Sequence, residues 1–247
     1  MATYDYKAGK KRVDEILNNK LQVFEQGRVP SEDAFTFDNA YYAWVTGIFV
    51  DIRNSSKLFA DEDKEKVSKI IRSFTSEIIE ILRDDENRRE IGIRGDCVYA
   101  VYTTPYKSDI YECLDKTFWI NTYMRMLNEL LEKKGFPTIS VGIGISTSLE
   151  LVVKAGRKGV GINSKVWIGK AVTQASNLSS LGNKGGNQPI ILSNLIYDNI
   201  IEQLIKTNGE QGRSWFHSFY DNQYNLNYSA DVIKSEFNNW ISDGMKP

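Results

Sequence analysis

The chain has 247 residues, 41% hydrophobic and 26% charged, with a formal net charge of −1. It therefore has apolar surface for one substantial core and lacks the basic excess that nucleic acid or anionic lipid attracts, so neither is expected as a partner. The opening MATYDYKAGKKRVDEILNNK has no apolar centre, and no run of about 18 apolar residues follows, so the expectation is a cytoplasmic protein without leader peptide or membrane span.

In chain order, residues 8–26 place Val13, Ile16, Leu17, Leu21 and Phe24 at helical spacing, which predicts an amphipathic helix ahead of a polar break at 27–33. YYAWVTGIFVD (41–51) is aromatic and β-branched and reads as the first core strand, ending on a carboxylate. Val67, Ile70, Ile71, Phe74, Ile78, Ile81 and Leu82 then mark a long helix over 60–82, with Ser55 or Ser56 as its expected cap. IGIRGDCVYAVYTT reads as a hairpin turning on Gly95 and Asp96. A helix over 109–134 stops at Lys133-Lys134-Gly135.

TISVGIGISTSLELVVKAG is expected to be two strands joined near 146–149. A glycine-bearing loop (156–164), the strand KVWIG, a helix from near Lys170 and the strand PIILS come next, followed by helical patterns near 193–206 and 229–242. The order strand, helix, hairpin, helix, hairpin, helix, strand predicts an α+β sandwich: a largely antiparallel sheet covered by helices on one side, not a doubly wound parallel sheet. Residues 1–36 are expected to be a helical extension and 37–247 a single catalytic domain with a C-terminal helical elaboration.

Few residues invite chemistry. Cys97, Cys113 and the lone His217 lack metal-ligand spacing and read as core groups. VGIGIS has no third glycine at dinucleotide spacing, and GRKGVG lacks the Lys-Ser/Thr of a phosphate loop. The first reads as a tightly packed strand and the second as a loop; the aromatic groups YYAW and SWFHSFY read as core. What remains is Asp51 at a strand end before the polar run Arg53-Asn54-Ser55-Ser56, and Asp96 on a hairpin tip. Adjacent central strands bring two such carboxylates together, and a hard cation takes a few carboxylates plus substrate phosphate oxygens. Phe49, two residues before Asp51 and so on its face, and Arg94 are candidate walls for a base.

FVDIRNSS, IRGDCVYAVY, VGIGISTSLELVVKAG and VWIGKAVTQASNLSSLG resemble, in order and spacing, the metal loop, hairpin, core strand and interface helix of class III nucleotidyl cyclases. They are most similar to the Pycsar group, bacterial anti-phage enzymes that make cyclic UMP or cyclic CMP. The resemblance implies a ferredoxin-like, antiparallel-rich sheet in a head-to-tail homodimer. It implies two divalent cations, Mn²⁺ or Mg²⁺, on Asp51, Asp96 and the carbonyl of Ile52, with the amides of Asn54, Ser55 and Ser56 on a nucleoside triphosphate. Asn54 and Ser55 replace the family's usual glycine and phenylalanine.

On the interface helix the family's Asn and Arg are Thr173 and Asn177, so the missing cation is expected from Arg157 or Lys165. Gly92 and Val166 replace the purine-reading side chains and cannot hydrogen-bond a base, which favours a pyrimidine, UTP ahead of CTP. The lysine-bearing strand of many cyclases is not evident after residue 206. The product is expected to act on a separate effector protein in anti-phage defence. An adenylate or guanylate cyclase with unusual base reading, and an inactive nucleotide-binding module, stay open beside this reading.

Overall fold

The computed structural model describes residues 3–246, the side chain of Asp61 excepted. Two long strands form its spine: β2 (Asn39–Ile52) and β5 (Val141–Gly156), antiparallel over the whole register from Ala40↔Val153 to Ile52↔Val141. On the far side of β2 lie β4 (Cys97–Thr103) and then β3 (Arg88–Arg94); beyond β5 come β7 (Ile190–Ser193), β9 (Leu226–Ala230) and β8 (Phe216–Tyr220). Two strands extend the ends of the spine: β1 (Gln22–Glu25), parallel to β2, and β6 (Asn163–Ile168), antiparallel to the outer half of β5.

Strand alternation divides the spine into two faces. Ile48, Val50, Ile143 and Ile145 belong to the main core, sealed by α3 (Lys64–Arg83), α4 (Lys107–Lys133) and α6 (Asn194–Asn208) through Phe74, Ile78, Leu114, Leu127 and Ile200. The opposite face carries Val45, Gly47, Phe49 and Asp51. It is covered only in part, by α5 (Ala171–Ser179) and a smaller cluster that includes Val29, Phe35, Val152 and Ala171. Helices thus lie on both sides, against the expected single side, because α5 crosses to the second face and leaves part of that face open. A short helix, α7 (Ser235–Ser242), closes the C-terminal end.

Several boundaries differ from expectation for local physical reasons. The N-terminal helix α1 (Tyr6–Asn18) ends before Leu21, and residues 22–25 pair with β2 because its edge offers unpaired backbone there. The segment 141–156 does not turn at 146–149. Its thirteen-pair ladder with β2 holds it extended, and the chain reverses only at residues 157–162, where Gly159 (φ +82°) and Gly161 (φ +76°) take left-handed conformations. Neither Ser55 nor Ser56 caps the long helix. Both open a short helix, α2 (Ser55–Asp61), and α3 is capped by Asp63, whose side chain accepts from the amides of Glu65 and Lys66. The stretch after residue 206 holds the β8–β9 hairpin, and only 235–242 of the expected 229–242 helix is helical.

Candidate functional site

The open face owes its geometry to glycine. A Cβ at Gly144 would lie 2.0 Å from the Ala175 carbonyl oxygen, and one at Gly142 would lie 1.9 Å from that of Ser179. The backbone of α5 therefore sits directly on β5, the tight packing read from VGIGIS. The other end of α5 is held by Glu150. Although its side chain is fully buried, its Oε1 accepts from the Ala171 amide (2.6 Å) and from Ser148 Oγ (2.9 Å), so a carboxyl oxygen closes the helix N-terminus from across the sheet. Burial raises the Glu150 carboxyl above the ordinary range, and the bonds from Ser148 and the α5 amides oppose that rise.

Asp51 lies opposite Cys97 on β4, which puts Asp96, in the β3–β4 turn, next to it. The turn is a two-residue loop, and Gly95 (φ +62°) supplies its left-handed residue. Burial raises the Asp51 carboxyl; Arg53 opposes the rise and the like charge of Asp96 adds to it. Arg53 pairs with Asp51 Oδ2 and donates through Nη1 to the Ser180 carbonyl (2.9 Å), while its buried Nε has no hydrogen-bond partner. Cys97, next to Asp96 in sequence and opposite Asp51 in the sheet, has its thiol pushed up to about 12, chiefly by burial and then by Asp51, so it is a neutral wall.

Two adjacent carboxylates, one of which burial keeps raised even beside an arginine, suit a divalent cation. Among the described residues no cluster of three or more His, Cys, Asp or Glu is gathered, so the remaining ligands must be carbonyl, water or substrate oxygens, as hard cations accept. Beside them Asn54 is in the left-handed region (φ 55°), and Ser55 and Ser56 start α2, with Lys57 and Leu58 amides already bonded to the Asn54 carbonyl.

The other expected residues fall into two groups. Thr173 and Asn177 line a cavity of about 700 Å³ with Ser148, Lys170 and the β8–β9 turn residues Tyr224 and Asn225. Asp51 and Asp96 are not among its lining residues, so a single chain does not bring the two halves into one cavity. Lys165 is engaged with Glu32, whereas Arg157 is exposed where the β5–β6 turn begins. Val166 is exposed on β6, and Arg94 is exposed beside the hairpin turn.

Gly92 and Phe49 meet at a residue that sequence reasoning missed, Tyr99. Its ring stacks on Phe49 (centroids 5.1 Å apart, 13° between planes) and covers Gly92, where a Cβ would lie 2.8 Å from the ring. Its hydroxyl donates to Glu90 (2.7 Å), and burial together with that bond raises the phenol to about 12. The period-two alternation with Cys97 in IRGDCVYAVY was the available signal for Tyr99; nothing local marked Glu90.

No helix of the described residues is long and apolar enough to cross a membrane. The family model described as the adenylate and guanylate cyclase catalytic domain matches residues 38–207. A uridylate cyclase of Treponema porcinum is 53% identical over 242 residues, 98% of this chain and 82% of that protein. A uridylate cyclase of Gulbenkiania mobilis is 28% identical over 253 residues, 98% and 97% of the two chains. Among solved structures, the adenylyl cyclase CyaB from P. aeruginosa shares the fold at TM-score 0.62 and 18% identity, covering 77% of this chain and 95% of that one. A class III adenylyl cyclase-like ATP-binding protein from Pseudomonas aeruginosa matches at TM-score 0.66 and 17% identity, over 97% of this chain and 50% of that one. With a family match over more than half its length and a relative at 53% identity, the chain belongs to the class III family of adenylate and guanylate cyclase catalytic domains.

Proposed function

We propose that this protein is a uridylate cyclase, converting UTP to 3′,5′-cyclic UMP and pyrophosphate in sites shared between two copies of the chain. The observation that carries the chemistry is the partly buried Asp51 beside Asp96 on the open sheet face. The choice of UTP rests on the activity printed for the two relatives that cover nearly the whole chain.

Asp51, Asp96 and the Ile52 carbonyl would hold two divalent cations, Mg²⁺ or Mn²⁺, which when bound supply the charge that favours the ribose 3′-oxyanion and offsets the leaving pyrophosphate. The amides of Asn54, Ser55 and Ser56 hold the triphosphate. The 3′-oxygen bonds to the α-phosphorus, the bond from that phosphorus to the bridging oxygen of the β-phosphate breaks, and the hydroxyl proton leaves to solvent. Arg53, the resident counter-ion of Asp51, would give up Oδ2 to a bound cation while its Nη1 keeps the Ser180 carbonyl as partner.

Thr173 and Asn177 orient the ribose from the partner, since in one chain they line a cavity without the carboxylates. Arg157, exposed at the turn of the projecting β5–β6 arm, supplies positive charge to the developing transition state. Lys165 does so only after parting from Glu32. The cyclic product acts as a messenger for a separate effector.

Incubation with ATP, GTP, CTP and UTP plus Mn²⁺, followed by mass-resolved product analysis, tests this reading. Cyclic UMP from the parent and none from Asp51→Asn is the expected result. Cyclic AMP or GMP as the main product would replace the substrate assignment, and no cyclic product from any nucleotide would defeat the reading.

A further inference from the structure

Alternate residues of β5 meet α5 on the open face of the sheet: Gly142, Gly144, Ser146, Ser148 and Glu150, each opposite a β2 residue of that face. Their side chains lengthen along the strand, and each touches the next part of the helix. Cβ atoms at Gly142 and Gly144 would strike the Ser179 and Ala175 carbonyls. Ser146 Oγ donates to Gln174 Oε1 at 2.7 Å. Ser148 Oγ accepts from the Ala171 amide at 2.9 Å, and Glu150 Oε1 accepts from the same amide at 2.6 Å. The helix thus rests on bare backbone at its C-terminal end and stands off β5 at its N-terminal end by the reach of a glutamate.

Nothing on α5 itself can take the place of that glutamate. Lys170, at the N-cap, makes no side-chain cap hydrogen bond, since an ammonium only donates. Ala171 is fully buried, so its amide needs an acceptor from the protein. Glu150 is fully buried too, and its Oε2 has no hydrogen-bond partner, an arrangement that costs stability relative to an apolar side chain. We propose that Glu150 is a positioning residue for the cyclisation: it sets the tilt of α5, and so the place of Thr173 and Asn177 in the site that the other copy completes. The inference rests on the shared-site cyclase reading.

Thr173 and Asn177 lie about 3 Å and 9 Å beyond Ala171 along the helix axis. Without the carboxyl, α5 pivots on its glycine contacts, and the N-terminal end that carries Thr173 swings furthest. Ser148, whose hydroxyl donates to Glu150 Oε1 at 2.9 Å, lines the same cavity as Thr173 and Asn177, so the clamp adjoins the residues it places. The metal carboxylates and the triphosphate amides belong to the other half of the site and keep their places. The loss falls on kcat, while KM for UTP holds.

The test is kcat and KM for UTP with the parent, Glu150→Ala and Glu150→Gln, followed by co-refolded equal mixtures of variants. Glu150→Ala is expected to lower kcat about a hundredfold with KM nearly unchanged. Glu150→Gln, whose Oε1 still accepts from the Ala171 amide, recovers most of the rate. Mixed with Asp51→Asn, Glu150→Ala regains about a quarter of the parent's activity, because half of the dimers are mixed and each of these has one site with intact carboxylates facing an intact α5. Mixed with the Thr173→Ala, Asn177→Ala double variant it gains nothing, since both defects lie in the same half.

A residue that merely holds the fold together would spoil both halves and complement neither partner, so no recovery with Asp51→Asn, or a parent-like kcat in Glu150→Ala, overturns the proposal. Should Glu150→Ala fail to fold, Gly169→Ala takes its place in the same mixtures, because it keeps the carboxyl but drives a Cβ to 2.6 Å from Glu150 Cδ. Asp51→Asn mixed with the double variant is the control. Recovery there without recovery for Glu150→Ala refutes this inference alone; no recovery in any mixture shown to contain mixed dimers refutes the shared site with it.

Discussion

Replacing Gly144 by alanine tests how α5 is placed, with no change to any chemical group. The added Cβ would stand 2.0 Å from the Ala175 carbonyl oxygen and 2.3 Å from the Ser179 nitrogen, and real contacts do not fall below 3.0 Å. Because both neighbours are backbone, no side chain can rotate away, and α5 must retreat by about 1 Å. Overpacking of this kind costs about 1–3 kcal/mol, which for a chain of this size lowers Tm by roughly 2–12 °C. A misplacement of about 1 Å costs roughly a hundredfold in rate when it moves groups that orient the substrate, and α5 carries Thr173 and Asn177.

Circular dichroism melts and initial rates of cyclic UMP formation measure the two effects. Gly27→Ala is the control, because the nearest atom to its Cβ would be 3.8 Å away. A Gly144→Ala enzyme with the parent Tm and rate would refute the claim that glycine sets the helix-to-sheet distance and that this distance positions the site.

Other expectations follow from the same structure. Mn²⁺ at about 100 times its dissociation constant should add about 2.7 kcal/mol to stability, read as a rise in Tm of the parent; Asp51→Asn should show almost none of it, and an equal rise in both would remove Asp51 from the cation site. Because burial raises the Glu150 carboxyl, its contribution to stability is fully present below the ordinary carboxylate pKa and is lost as pH rises through the higher folded value. Urea titrations across that window should show Glu150→Gln lacking this part of the slope, and parallel pH profiles would contradict the assignment. Asp63→Ala removes the only side-chain cap of α3 and should cost about 1 kcal/mol without altering UTP:CTP preference.

Local patterns carried much of this far. The strand ending at Asp51, the Gly95-Asp96 turn and the long helices were legible because period-two and period-3.6 alternation, a turn dipeptide and a Lys-Gly stop are short-range signals. Residues 146–149 were misread as a turn, since Ser-Thr-Ser is turn-like in isolation and only the ladder with β2 holds it straight. The β8–β9 hairpin was missed because its strands are five residues each and lie between two helical patterns.

The two site carboxylates were visible as strand-end and turn residues. The hydrogen bond from Trp167 Nε1 to Glu90 (2.8 Å) was not, because 77 residues separate the partners. Likewise Glu150 reads as the polar member of a strand, and its burial under Gly169 appears only once α5 is in place.

The central claim is a site with carboxylates from one copy and α5 from the other, and mixing two inactive variants tests it most directly. Asp51→Asn and a Thr173→Ala, Asn177→Ala double variant should each make almost no cyclic UMP alone. Co-refolded in equal amounts, half of the dimers are mixed and each of these has one intact site, so activity should return to about a quarter of the parent's. No recovery in a mixture shown to contain mixed dimers would contradict the shared site.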